Sequence, residues 1–241
     1  MTAPAILVVG AGDATGGAIA RRFAREGFTA CVTRRTEEAL APLVERIQEE
    51  GGRARGFGCD ARDEDQMRAL VDTIEAEVGP LEVVVFNIGA NVNFPIRETT
   101  ARVYRKVWEM AAFAGFLTGR EAARVMVPRG RGTILFTGAT ASLRGGRGFS
   151  AFAGAKFALR ALAQSLAREL GPEGIHVAHP VIDGAIDTAF IRDNFPERYA
   201  LKDRDGILDP EHIADAYWML HQQPRDTWTH ELDLRPWMET F

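Results

Sequence analysis

The stretch Ala5-Ile-Leu-Val-Val-Gly10-Ala-Gly12-Asp13-Ala-Thr15-Gly16-Gly17-Ala-Ile-Ala20 decides the fold of this chain. Residues 5–10 are a short continuous apolar run, as expected of a strand buried on both faces. Residues 16–26 carry Ile19 and Phe23 at helical spacing and stop at Gly27. Glycines alone at such a junction describe an ordinary loop. Between a buried strand and an amphipathic helix they describe a dinucleotide cradle. Gly10 permits the tight turn, and small residues at 12 and 14 let the backbone approach a pyrophosphate. Gly16 allows close helix–strand packing, and the helix start offers free N–H groups to the anion. Gly10, Gly12, Asp13, Thr15 and Gly16 are the expected contacts, with Asp13 able to oppose a phosphate if it points inward.

Outward from this turn, strands and helices alternate. Strands are predicted at 29–33, 55–59, 81–87, 132–137, 175–181 and 228–234. Helices are predicted at 37–50, 63–78, 101–126, 150–170 and 210–220, with Gly79-Pro80 and Pro128 as stops. The segment 189–208 reads as irregular, polar and aromatic. The alternation predicts one α/β domain over 1–241, a Rossmann-type doubly wound parallel sheet of about seven strands with helices on both faces. Ligands in such sheets sit beyond the C-terminal strand ends.

Composition bounds the rest. At 241 residues the chain can bury one large core, and 29 basic against 33 acidic residues give a formal charge of −4. That balance argues against a general nucleic-acid or membrane-surface role. The first residues carry no basic n-region, and no apolar run reaches the roughly 18 residues of a membrane span. Cys31 and Cys59 lie apart in strand-like contexts, which suggests a reduced, cytoplasmic chain. The five histidines show no metal spacing, so no metal is expected. His176 and His179 lie on one strand, and His179 reads as a core histidine.

Gly10-x5-Gly16 resembles the Thr-Gly-x3-Gly-x-Gly turn of the short-chain dehydrogenase/reductase family, with Val9 and Ala14 replacing the Thr and the middle Gly. The resemblance extends along the chain. Asp60-Ala61 looks like the strand-three pair that contacts adenine, and Asn87-Ile88-Gly89 like the end of Asn-Asn-Ala-Gly. Gly184, Ile186 and Thr188 look like the loop that holds the nicotinamide carboxamide, and residues 210–214 like the late helix start. After strand two the chain has Arg34-Arg35 and no acid until Glu37. Arginine is a natural partner for a 2′-phosphate, so the resemblance implies NADP(H), with NAD(H) possible. Both arginines could instead be solvated at the helix entrance.

The family's proton-handling tetrad is an Asn, a Ser, and the Tyr and Lys of Tyr-x-x-x-Lys. A phenol beside an ammonium ion has a lowered pKa. Matched residue by residue, Ala112, Ala139 and Phe152 stand at the first three positions and only Lys156 remains. The resemblance then places Lys156 at the cofactor ribose. Asp183 is an alternative acid, or else a residue that caps its own loop. Thr140 and Ser142 keep hydroxyls near strand five at shifted positions.

The substrate side draws on residues 91–95, 140–148 and 189–208, the last as a lid. Phe94, Phe149, Phe190, Phe195 and Tyr199 make it apolar; Arg144 and Arg147 could meet an anion or remain solvated. The helices at 101–126 and 150–170 suggest a homodimer or homotetramer, and Trp228, Trp237 and Phe241 suggest a buried tail. Two functions stay open. One is an NADP(H)-dependent oxidoreductase of a small carbonyl or alcohol with a non-standard proton path. The other is a catalytically silent nucleotide-binding relative acting through a partner or as a sensor.

Overall fold

The computed structural model describes residues 2–240. Eight strands are present among the described residues: β1 Ala5–Val9, β2 Thr29–Arg34, β3 Arg53–Gly58, β4 Leu81–Phe86, β5 Gly132–Phe136, β6 Gly138–Ala139, β7 Ile175–Ile182 and β8 Glu231–Leu234. The helices are α1 Thr15–Arg25, α2 Ala41–Glu49, α3 Glu64–Thr73, α4 Ala101–Trp108, α5 Ala114–Met126, α6 Ser150–Leu170, α7 Ala189–Asn194, α8 Pro196–Tyr199 and α9 Pro210–Gln222. The sheet order is β3-β2-β1-β4-β5-β7-β6, with β8 on β7. Every pairing is parallel. The expected fifth strand ends as β5 at Phe136, and beyond Thr137 a separate two-residue strand, β6, also pairs with β7.

Alternation along the strands builds two cores, since neighbouring side chains point to opposite faces. Leu7, Val9, Val84 and Phe86 face Leu117 and Leu159 of α5 and α6. Ile6, Val8, Val83 and Val85 face Phe23 and Tyr217 of α1 and α9. Phe23 meets Phe28 and Trp218 edge-on at 5.4 and 5.1 Å, which locks α1 to α9. These two cores hold the strand ends, and hence the glycine turn, in place.

Three elements differ from expectation. The long helix at 101–126 carries a π-turn over Glu109–Phe113 between α4 and α5. Such a wide turn inserts a residue without breaking the rod and rotates α5 relative to α4. The segment 189–208 is not irregular. Thr188 caps α7 by accepting the Ile191 N–H at 3.1 Å, and Pro196 opens α8 at a first-turn position that tolerates proline. The tail is not buried as a unit: Trp237 is 76% exposed, with its indole N–H donating to the Arg204 carbonyl. Phe241 lies outside the described residues.

Candidate functional site

The glycine turn closes as its sequence requires. Gly10 has φ +86°, a left-handed conformation, and a Cβ there would lie 3.0 Å from the Ile88 side chain. A Cβ on Gly16 would sit 2.9 Å from the Ala11 Cα and the Gly10 carbonyl oxygen. Asn87 donates its side-chain amide to the Gly10 carbonyl at 3.2 Å, tying the end of β4 to the turn. Gly12 and Gly89 are different. A Cβ on either would meet nothing within 4 Å, so these two positions border open space.

That open space has the chemistry of an anion site. Ala14, at the N-cap of α1, supplies no side-chain hydrogen bond to the helix start. The buried Thr15 Oγ1 has no hydrogen-bond partner among the described residues. A buried hydroxyl is seldom left unpaired, and a bare helix N-terminus favours negative charge.

Beside the turn lies a cavity of about 260 Å³ whose lining includes Gly10, Arg34, Arg35, Asp60, Ala61 and Arg62. Arg34 ends β2 and Arg35 follows it, both exposed, while Thr33 just before them is buried and donates to the Phe57 carbonyl at 2.8 Å. Asp60 is gripped by Arg62. Its Oδ1 accepts from the Arg62 Nε at 2.9 Å and from the Arg62 backbone N–H at 3.1 Å, and its Oδ2 accepts from Nη2 at 2.5 Å. These bonds to Arg62 hold the Asp60 carboxyl below the usual carboxylate range. Sequence reading does not single out Arg62, because the spacing Asp60-x-Arg62 does not by itself fold residue 62 back over residue 60.

Lys156 is buried, and its ammonium donates to the carbonyls of Ile88 at 3.1 Å and Thr137 at 2.9 Å. Burial pushes its pKa down to about 8. Phe152 lies one helical turn earlier, with its ring centroid 6.0 Å from the Lys156 nitrogen. Phe152 packs with Ala141 and Ala153, against Ala139 and Phe149. Ala112 is buried inside the π-turn.

The polar groups near the ends of β5 and β7 are largely paired with one another. Asp183 is buried; its Oδ1 accepts from the Thr140 hydroxyl at 2.6 Å and its Oδ2 from Arg144 at 3.2 Å. Ser142 Oγ accepts the Ala139 N–H at 3.1 Å, so its hydroxyl braces the turn. Thr137 Oγ1 pairs with the buried Tyr217 hydroxyl at 2.8 Å. His179 is fully buried, and burial lowers its pKa to about 4. Neither ring nitrogen of His179 has a hydrogen-bond partner among the described residues. Gly184 has φ +154° and lies against Pro236. Ile186 bridges to Leu208, which pins the far end of the 189–208 segment beside the loop after β7. Phe190 and Phe195 form an exposed edge-on pair at 5.9 Å. Among the described residues no group of His, Cys, Asp and Glu could hold a metal ion. No helix among them is long and apolar enough to cross a membrane.

A parallel sheet in this order, with a glycine cradle after its first strand, defines a nucleotide-binding α/β protein of the Rossmann type. Residues 4–198 match the short chain dehydrogenase family model, and the chain belongs to that family. It is 32% identical to the short-chain reductase protein NovJ of Streptomyces niveus over 202 residues, which cover 84% of this chain and 76% of NovJ. Among solved structures it is 52% identical to a short-chain dehydrogenase from Rhodopseudomonas palustris, with a TM-score of 0.84 and coverage of 97% of this chain and 99% of that one. A 7α-hydroxysteroid dehydrogenase complexed with NADH and 7-oxo glycochenodeoxycholic acid is 25% identical, with a TM-score of 0.86 and coverage of 96% and 92%.

Proposed function

We propose that this chain is an NADP(H)-dependent oxidoreductase acting on a small carbonyl or alcohol through a proton path that does not use a tyrosine. One observation carries the reading: the unpartnered, buried Thr15 hydroxyl at the uncapped start of α1, beside bare Gly12 and the cavity lined by Arg34 and Arg35. A bound nicotinamide supplies or accepts the hydride. The chain's own residues bind and orient. The N–H groups at the start of α1, with Thr15 and Gly12, fit a pyrophosphate. Arg34 and Arg35 fit a 2′-phosphate, which favours NADP(H). NAD(H) is the alternative, because a 7α-hydroxysteroid dehydrogenase of the same fold is complexed with NADH. Asn87, Gly89, Gly184, Ile186 and Thr188 line the route along the strand ends in this reading.

Ala112, Ala139 and Phe152 stand where the family carries Asn, Ser and Tyr, and Lys156 is the ionisable group left among the four. Asp183 is the second candidate acid, but Thr140 and Arg144 already engage its oxygens. The aromatic residues Phe94, Phe149, Phe190 and Phe195 make an apolar substrate side, with 189–208 as its lid. Tyr104, Trp108, Phe116 and Phe157 expose apolar surface on α4, α6 and the helix between them, which supports a homodimer or homotetramer. Two buried, unpaired cysteines are consistent with a cytoplasmic chain.

Protein-fluorescence titration with NADPH and NADH tests the cofactor; tighter NADH binding refutes the preference for NADP(H). Phe152→Tyr with Ala139→Ser, assayed on a carbonyl panel, tests the proton path. General acid assistance contributes about 100- to 10,000-fold, so a gain within that range is expected. No gain over a fast wild-type enzyme would mean that other groups already supply the proton. Tight NADPH binding with no turnover by either protein would refute the oxidoreductase reading.

A further inference from the structure

We infer that Arg62, not Asp60, is the residue that reads the nucleotide base, and that it makes the pocket tolerant of a 6-oxo purine. The inference rests on the dinucleotide reading above. A free carboxylate at position 60 would accept from the 6-amino group of adenine and repel a 6-oxo group. Here the Asp60 carboxylate is engaged and its charge is compensated, with three of its roughly four acceptor positions taken by Arg62. Both its oxygens accept from the Arg62 guanidinium, and Oδ1 also accepts the Arg62 backbone N–H. Three bonds to one partner lock the pair into a unit, and a bidentate guanidinium–carboxylate contact is among the stronger pairings available.

The two residues line the same cavity, with Ile88 and Met110 supplying apolar wall. Nη1 of Arg62 takes no part in the grip on Asp60. Arg62 lines the cavity beside Asp60, and because guanidinium has no acceptor, what it adds to that wall is a donor. Its natural partners are the ring nitrogens of a purine, a 6-oxo group, or the π-face of the ring. The carboxylate serves as a positioning residue that fixes the guanidinium plane. Both side chains are about a third exposed, 27% for Arg62 and 30% for Asp60, so replacing them leaves the cores untouched.

The test is a fluorescence titration of the full chain with NADPH and with its hypoxanthine analogue, which carries 6-oxo in place of 6-amino. Wild type is expected to bind the two within about threefold of each other. Arg62→Ala frees Asp60, and the analogue should then bind about tenfold or more weakly than NADPH, the scale of an unpaired charged acceptor facing an oxygen. Arg62→Lys, a donor without the planar fork, should fall between. Thermal melts of each variant check folding. A wild type that already rejects the analogue tenfold overturns the inference, as does an Arg62→Ala variant with an unchanged ratio. Failure of both nucleotides to saturate wild type overturns the nucleotide reading itself, and this one with it.

Discussion

Gly12→Ala separates binding from folding more cleanly than any other change in the cradle. The added methyl meets no heavy atom within 4 Å, and Gly12 does not have a positive φ. Stability should hold or rise by about 0.4–1 kcal/mol, because alanine narrows the unfolded ensemble. The same methyl projects into the space assigned to the pyrophosphate. Affinity for NADPH should drop at least tenfold, or about 1.4 kcal/mol. Gly16→Ala is the contrast. Its methyl would lie 2.9 Å from backbone atoms of Ala11 and Gly10 and 3.0 Å from the Asn87 amide nitrogen. Backbone cannot swing aside as a side chain can, so overpacking should cost about 1–3 kcal/mol. For a chain of this size that lowers the melting temperature by roughly 2–4 °C per kcal/mol. Paired thermal melts and NADPH titrations read both quantities. A Gly12→Ala protein that melts like wild type and binds NADPH equally well would refute the placement of the dinucleotide over this turn.

The other perturbations probe the far end of the sheet. Burial leaves His179 with a pKa of about 4, whereas the unfolded chain titrates it near the ordinary 6.5. The unfolded state therefore binds the proton first, and stability should fall by on the order of 3 kcal/mol as pH drops from about 6.5 to 4. Denaturant unfolding across that range should show a shallower slope in His179→Leu; an unchanged slope refutes the assignment. Gly138→Ala would place a methyl 2.6 Å from the His179 ring, so it should cost about 1–3 kcal/mol, and His179→Ala should recover part of that in a double-mutant cycle. Strict additivity would mean that the two residues do not share the space. Lys156→Met removes a cation whose burial already opposes its charge, but it also strips two carbonyls of their donor. These effects are similar in size, so stability should shift by no more than about 1–2 kcal/mol while NADPH affinity falls. A large loss of stability with affinity intact would make Lys156 a strut alone.

The sequence made the cradle legible because Gly10 and Gly16 answer steric demands set by immediate neighbours, while Gly12 borders open space between them. The doubly wound parallel sheet followed from the βα alternation and the handedness of its crossovers. Elements that depend on a local contest were harder to read. The π-turn at 109–113 sits in a segment with ordinary helical periodicity, and no propensity distinguishes a wide turn from a regular one. In 189–208 the signals were present, a Thr at a cap position and a Pro at a first turn, but aromatic and polar clustering masked them. The Asp60–Arg62 grip needs a loop conformation that folds residue 62 back over residue 60, and two-residue spacing alone does not specify one. Trp237 looks like a core residue by type, yet only its indole N–H is anchored.

The two ends of the ligand groove differ in how their polar groups are spent. At the nucleotide end, Thr15 keeps a buried hydroxyl without a partner, and Arg34 and Arg35 are exposed at the mouth of the cavity. At the reaction end the pairing is internal. Thr140 and Arg144 are bound to Asp183, Ser142 braces a backbone N–H, and Thr137 holds Tyr217. Drawing the Thr140 proton would first break its bond to Asp183, and an abandoned buried partner costs about 1–3 kcal/mol. Lys156 is the exception. Its ammonium has three donors, two of them committed to carbonyls, and its pKa of about 8 lies close to neutral working pH. If the chain turns over, its reduction rate should fall as pH rises through about 8, because the charged form is the donor. A rate flat across that range would place the proton elsewhere, with water or with a group that the 189–208 segment brings in.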